Sequence, residues 1–117
     1  MPAALVRVDL SLGRRVPVLD APTLDWIERR LDEAEAGEAR PLLLTGGRHG
    51  VFAAGADLAE LARLDGRAAL DFSARGQALM DRIERYPALT VAAVSGRCIG
   101  GAFDLARRAV CPRRAAP

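Results

Sequence analysis

The fold is decided by a stretch that joins an apolar run to a glycine-rich segment, PLLLTGGRHGVFAAGADLAE at residues 41–60. Residues 41–45 are bounded by a proline and a glycine pair, which is typical of a strand covered on both faces in a parallel sheet. Residues 46–55 contain four glycines and predict a loop. Residues 56–64 predict a short helix. The succession of strand, glycine turn and helix indicates an α/β fold.

The same succession returns in LTVAAVSGRCIGGAFDLA at residues 89–106. Residues 89–94 predict a second buried strand, residues 95–101 a glycine turn, and the residues from Gly101 or Ala102 onward a helix. A glycine turn that leads into a helix exposes backbone N–H groups with no intrahelical acceptor, at the positive end of the helix dipole. Two such turns facing one another would bind an oxyanion. Glycine turns also occur at strand ends in any α/β domain, so a purely structural role stays open.

The rest of the chain predicts a hairpin and two long helices. Apolar residues alternate from Val6 to Leu12, and 16–19 could return as a second strand after a turn at 13–15. Asp20 is placed to cap a helix that ends at Gly37, and a longer helix is predicted over about residues 67–86 before Pro87. The apolar positions at helical spacing are Leu24, Ile27, Leu31 and Ala34 in the first, and Phe72, Gly76, Leu79, Ile83 and Tyr86 in the second.

The charges do not indicate a nucleic-acid partner. All 17 basic residues are arginines, and four of them fall in the last eleven residues. Without that segment, the chain has 13 arginines and 15 acidic residues, so its body is mildly acidic. Nucleic-acid binding requires a basic surface on the folded body. A single histidine and two distant cysteines predict no metal site and no disulfide framework.

Two segments carry a resemblance to a known family. Residues 52–60, FAAGADLAE, are similar to the A-G-A-D-L segment of the enoyl-CoA hydratase/isomerase (crotonase) family, and residues 91–106, VAAVSGRCIGGAFDLA, resemble its second glycine-rich segment. The likeness covers about residues 20–106. It implies an α/β fold of the ClpP/crotonase type, a spiral of ββα units that is truncated in this chain. Residues 1–106 would then be a partial crotonase-like domain.

The resemblance also implies a mechanism. Backbone N–H groups at the positions of Ala56 and Gly101 would form an oxyanion hole for the thioester carbonyl of an acyl-CoA and stabilise an enolate. Asp104 matches the position of a catalytic carboxylate, where hydratases more commonly carry glutamate. Asp57 is more simply a residue that caps a helix or fixes a loop. The positions that would contact substrate or CoA are Ala54, Gly55, Asp57, Leu58 and Gly100, and the segment around residues 19–21 resembles the part that receives the CoA nucleotide.

Further expectations concern cofactors, partners and location. The resemblance implies no metal or redox cofactor, with CoA entering only as part of the substrate. We expect no nucleic-acid partner, because the body of the chain is mildly acidic. We expect no membrane partner, because no apolar run approaches the roughly 20 residues of a membrane-spanning helix. The N-terminus lacks the pattern of a secretory signal, which favours a cytoplasmic location. The trimers and hexamers of the family depend on its C-terminal region, so we do not expect them from this chain.

Residues 107–117 depart from the family pattern. Two arginines stand where the family helix continues with apolar residues, and a segment rich in Arg, Ala and Pro follows. We interpret 107–117 as an atypical tail, not native to the fold, that out-of-frame reading of GC-rich DNA would produce. Three functions stay open: an acyl-CoA hydratase or isomerase, an inactive truncated remnant of such an enzyme, and a small interaction module.

Overall fold

The computed structural model describes residues 4–14, 16–46, 51–53, 62–94, 97–98 and 107–109. Each of the two long helices lies between strands, and the main sheet is parallel, which confirms the predicted α/β class. The elements, in chain order, are β1 (Val6–Asp9), α1 (Ala21–Glu35), β2 (Leu42–Thr45), β3 (Val51–Ala53), α2 (Gly66–Glu84), β4 (Thr90–Ala93) and β5 (Arg97–Cys98).

Three of the strands form a parallel sheet in the order β1-β2-β4. Parallel neighbours require a crossover connection, and the two long helices lie in these connections. Successive side chains of a strand point to opposite faces of the sheet. Paired residues therefore form rows across the sheet, and these rows alternate between its two faces. The rows of one face contain Val6, Leu42 and Thr90, then Val8, Leu44 and Ala92; those of the other contain Arg7, Leu43 and Val91, then Asp9, Thr45 and Ala93.

The predicted hairpin at the N-terminus is wrong. Residues 16–20 form no strand, and β1 pairs with β2 instead. After β1 the chain turns, with the Ser11 N–H donating to Asp9 Oδ1 at 2.9 Å and the Arg14 N–H donating to Ser11 O at 2.8 Å. Pro17 is fully buried in the segment that was expected to return. Proline has no N–H to donate to a strand ladder, so alternation alone misjudged this segment.

The first helix forms as predicted. Asp20 is its N-cap, accepting a hydrogen bond from the Thr23 N–H at 3.1 Å, and Pro22 lies in the first turn. The helix ends at Glu35, and Gly37 adopts a positive φ of 74° two residues later. The four predicted apolar positions are all buried: Leu24, Ile27, Leu31 and Ala34. Their stripe packs in the same hydrophobic core as the Val6–Leu42 and Val8–Leu44 rows of the sheet.

The two faces of the sheet are not equally covered. Leu42 and Leu44 are fully buried, whereas Leu43 and Val91 are half-buried and Ala93 is exposed. The run at 41–45 was expected to be covered on both faces. Among the described residues only one face is fully buried, because α1 and α2 both contribute to the core on that face.

The second helix begins and ends within two residues of its predicted bounds. Asp65 caps it, accepting from the Ala68 N–H at 2.7 Å. Its apolar stripe is buried only toward the C-terminal end, at Leu79, Ile83 and Tyr86, while Phe72 and Gly76 are half-buried. Beyond the helix, the Tyr86 hydroxyl donates to Arg40 O at 2.5 Å, which fixes the end of α2 beside the start of β2.

Ion pairs join the two helices at matching intervals. Arg75 of α2 contacts Glu28 of α1 at 2.7 Å and also Asp25. Because the earlier acids meet the earlier arginine, the helices run in the same direction. Two helical turns further along both helices, the corresponding residues are Arg82, Asp32 and Glu35, with N–O distances of 2.7 and 2.9 Å.

Of the predicted tail, the structure describes residues 107–109. Arg108 contacts Asp81 at 3.1 Å and Glu84 at 3.4 Å, and Ala109 lies in the hydrophobic core. Arg108 therefore contacts α2, and Ala109 packs in the core. The proposed domain boundary at residue 106 and the atypical origin of the tail stay predictions.

Candidate active site

A second, two-stranded sheet joins the two glycine-rich segments, because each segment contributes one of its strands. β3 and β5 are parallel, with Val51 opposite Arg97 and Ala53 opposite Cys98, and the register shifts between the two pairs. We expected a loop at 46–55 and a turn at 95–101, and both expectations are wrong at these residues. Strands of three and two residues are too short to show the alternation from which strands are recognised. The one signal was the apolar group of residues 51–53, within which Phe52 and Ala53 are buried.

This pairing places residues from the two predicted glycine turns side by side. The C-terminal ends of parallel strands meet at the same edge of a sheet. Ala56 and Gly101, the two predicted oxyanion donors, each lie three residues beyond a member of the Ala53–Cys98 pair. The sequence did not predict β3 and β5, and the structure supplies their register.

Gly46 connects the two sheets through a close backbone contact. A Cβ atom added there would lie 2.6 Å from the carbonyl carbon of Phe52 and 2.7 Å from its Cα. Real Cβ atoms do not approach backbone this closely, so any side chain at position 46 would displace β3. Glycine is needed here because the backbone of β3 at Phe52 packs directly against the residue that follows β2.

All eight predicted site residues lie outside the described residues. They are Asp104, Ala56, Gly101, Ala54, Gly55, Asp57, Leu58 and Gly100. The positions of their backbone N–H groups and carboxylates therefore stay predictions. The structure supports them only through the strands that precede each group.

The segment around residues 19–21, which is predicted to receive the CoA nucleotide, lies within the described residues. The carboxylate of Asp20 in this segment already accepts hydrogen bonds within the chain. Asp20 Oδ2 accepts from Arg14 Nη1 at 2.7 Å, and Asp20 Oδ1 accepts from the Thr23 hydroxyl at 2.7 Å. The Arg14 guanidinium also donates to Thr23 Oγ1 at 2.7 Å and to Val18 O at 3.4 Å. These contacts lock the loop before α1 and leave no carboxylate oxygen of Asp20 without a partner.

The electrostatics of Asp20 follow from these contacts. Burial disfavours its ionised form, but the hydrogen bonds from Arg14 and Thr23 outweigh burial, and the pKa of Asp20 lies below its usual range. The sequence predicted Asp20 as a helix cap but did not identify Arg14 as its counter-ion. The available signal was the aspartate itself, because a charged cap in a buried position requires an opposite charge nearby.

No helix in the described part of the chain is long and apolar enough to cross a membrane.

Comparison with known proteins gives a consistent result. The family model described as enoyl-CoA hydratase/isomerase matches residues 6–111. The chain is 35% identical over 89 residues to the protein named "Probable enoyl-CoA hydratase" of Bacillus subtilis (strain 168), covering 75% of this chain and 34% of that protein. It is 35% identical over 97 residues to the fatty acid oxidation complex subunit alpha of Aliivibrio fischeri, covering 80% of this chain and 14% of that protein.

A solved structure agrees with the sequence matches. The enoyl-CoA hydratase of Bacillus anthracis superposes with a TM-score of 0.80 at 26% identity, over 90% of this chain and 41% of that one. The chain thus spans about a third of the first curated relative and less than half of the solved structure.

Proposed function

Since the chain belongs to the enoyl-CoA hydratase/isomerase family, we propose that it binds the thioester group of an acyl-CoA between the two segments that follow β3 and β5. The observation that carries the proposal is the parallel pairing of Ala53 with Cys98. Two chain segments that leave the same sheet edge side by side can direct backbone donors at one acceptor. Family membership supports the choice of acceptor, a thioester carbonyl.

In the proposed mechanism, the backbone N–H groups of Ala56 and Gly101 donate to the thioester oxygen. Hydration forms a bond between water and C3, moves the electrons of the double bond onto that oxygen, and then adds a proton at C2. Isomerisation removes a proton from C2 and returns one at another carbon. Donors already oriented toward the developing oxyanion lower the barrier of either reaction. Each donor typically raises the rate by about 10²–10³-fold.

Asp104 is the proposed general acid/base. A carboxylate beside the oxyanion donors can accept the proton of the attacking water or of C2 and deliver one to carbon. Because charge develops on the substrate oxygen and is stabilised by backbone dipoles, the reaction requires no metal or redox cofactor. Ala54, Gly55, Asp57, Leu58 and Gly100 are proposed as flanking contacts to substrate or CoA. A cytoplasmic location belongs to the same proposal.

The test is turnover of crotonyl-CoA by the purified chain, measured by loss of enoyl absorbance. We expect Asp104→Asn to lower kcat by about 10²–10⁴-fold while leaving the Kd of a saturated acyl-CoA within twofold, measured calorimetrically. Asp71→Asn is the matched control, because Asp71 is an exposed carboxylate on α2 whose ion pair within the described part of the chain is with Arg67, at 3.8 Å. Equal activity of the wild type and Asp104→Asn would remove Asp104 from the mechanism.

A second candidate function is binding of an acyl-CoA without turnover. The observation that favours it is that the pairing of Ala53 with Cys98 bears on binding of the thioester alone. Saturable binding of the acyl-CoA with no turnover in the wild type would support this candidate. Absence of both binding and turnover would contradict both candidates and favour an interaction module.

A further inference from the structure

β1 lies at one edge of the three-stranded sheet, and its outward-facing groups can be identified from its pairing. The Val6 N–H donates to Pro41 O at 2.8 Å, and the Leu10 N–H donates to Thr45 O at 2.9 Å. In a parallel ladder, alternate residues of a strand point their N–H and C=O groups to opposite sides. Val6, Val8 and Leu10 therefore face β2, and the backbone groups of Arg7 and Asp9 face outward.

Both outward carbonyls accept hydrogen bonds from side chains of α1. Trp26 Nε1–H donates to Asp9 O at 3.0 Å, and Arg30 Nη2–H donates to Arg7 O at 2.9 Å. The spacing fits both elements: four residues of helix rise about 6 Å, and two residues of strand about 6.6 Å. One face of α1 thus meets consecutive acceptors along the edge, with the helix running opposite to the strand.

The two donors also support each other. The Arg30 guanidinium carbon lies 5.5 Å from the centroid of the Trp26 ring, within the range of a cation–π contact. Arg30 Nη1 contacts Glu33 Oε1 at 2.9 Å, which fixes the guanidinium from its other side. Arg30 Nε is buried and has no hydrogen-bond partner among the described residues. The side chain therefore gives up hydration of Nε while its Nη2 reaches the strand edge.

An open sheet edge is a template for pairing with another chain, and proteins commonly block such edges. We propose that Trp26 and Arg30 form an edge guard, which prevents a second copy of this chain from adding a strand beside β1. By occupying Arg7 O and Asp9 O, the guard removes two of the acceptors that an added strand would use. The bulk of the indole and the charge of the guanidinium oppose a second backbone at the same place. This inference is independent of the proposed function.

The test removes the two donors and keeps the packing. Trp26→Phe retains an aromatic ring without an N–H, and Arg30→Met retains an unbranched side chain without a donor. We expect the double variant to form dimers and larger species in sedimentation velocity at concentrations where the wild type shows fewer. Amide hydrogen exchange at Arg7 and Asp9 should slow roughly tenfold in the variant on going from dilute to concentrated solution, because an added strand would protect these outward N–H groups.

Arg29→Met is the matched control. Arg29 is an exposed neighbour on α1 whose guanidinium carbon lies 5.7 Å from the Trp26 ring, and it donates to neither carbonyl. Its removal changes the charge of α1 equally and should leave both exchange and association as in the wild type. If the double variant loses its helical circular dichroism signal, Trp26→Phe and Arg30→Met are each compared with the wild type in the same two measurements.

Three results would overturn the edge guard. The first is a folded double variant that associates no more than the wild type. The second is association with unchanged exchange at Arg7 and Asp9, which would place the contact elsewhere. The third is association of the Arg29→Met control to the same extent, which would make net charge the cause.

Discussion

At the scale of single residues, Gly46 has the least room for a side chain among the five glycines that the structure describes. Its neighbour across the contact is the backbone of Phe52, which cannot rotate away as a flexible side chain could. We expect Gly46→Ala to lower the free energy of unfolding by about 1–3 kcal/mol, measured by urea denaturation, because β3 must shift to admit the methyl group.

Gly76 provides the control for this prediction. It lies inside α2, and a Cβ added there would meet nothing within 4 Å. Gly76→Ala should therefore stabilise the chain by roughly 0.5–1 kcal/mol, because alanine loses less backbone entropy in a helix. Equal effects of the two substitutions would contradict the close contact at Gly46.

The contribution of Asp20 to stability should depend on pH. Its pKa is lowered in the folded state, so its contribution to stability is fully present above the unfolded pKa of about 4 and is lost as the pH falls through the lowered value. Asp20→Asn keeps a helix cap but cannot ionise. We expect the stability difference between the wild type and Asp20→Asn to shrink as the pH falls below about 4, in urea titrations at fixed ionic strength.

The exposed carboxylate of Asp71 serves as the reference for this pH series. Its contact to Arg67 spans 3.8 Å, and both side chains are mostly exposed. Asp71→Asn should change stability little, with no comparable trend below pH 4. A difference for Asp20→Asn that stays constant down to pH 2 would show that Asp20 is not an ionised partner of Arg14.

At the scale of elements, the two helices are held in register by their matching ion pairs. Arg75 and Arg82 are about one-third exposed, so solvent reduces each contribution. We expect Arg75→Met and Arg82→Met each to cost about 0.5–1 kcal/mol at low ionic strength and less in 1 M NaCl. The measurement is chemical denaturation at both salt concentrations.

The control for the helix pairs is again within α2. Among the residues that the structure describes, Arg67 pairs with Asp71 on its own helix, and its side chain is 87% exposed. Arg67→Met should have almost no effect at either salt concentration. A salt-independent loss for Arg75→Met would show that packing of its aliphatic stem, rather than charge, stabilises the helix pair.

Elements differ in how well the sequence predicted them. α1 was predicted from its cap and its apolar stripe because both signals are local to the helix. β3 and β5 were missed because each gains its stability from the other strand, 44 residues or more away in the chain. The false hairpin had the opposite cause: the alternation was real, but the partner of β1 is β2, which only the crossover through α1 brings beside it.

At the scale of the whole molecule, the helix-covered face of the sheet contributes more to stability than the opposite face. Leu44 is fully buried and its neighbour Leu43 is half-buried. We expect Leu44→Ala to cost about 2–5 kcal/mol and Leu43→Ala about 1 kcal/mol or less, by thermal and urea denaturation. The two substitutions remove the same atoms from adjacent positions of one strand, so each controls for the other. Similar losses would mean that both faces are covered equally.

The sequence by itself determined the α/β class, the two helices, the strands β2 and β4 and the family, because helical periodicity, caps, apolar runs and contiguous motifs are local signals. The family assignment is confirmed by the match over residues 6–111. Only the tertiary structure decided that β1 pairs with β2, that β3 pairs with β5, and that Arg14 neutralises Asp20. It also decided that Trp26 and Arg30 cover the edge of β1. Each of these depends on two segments meeting in space, and the sequence pattern of one segment does not name its partner.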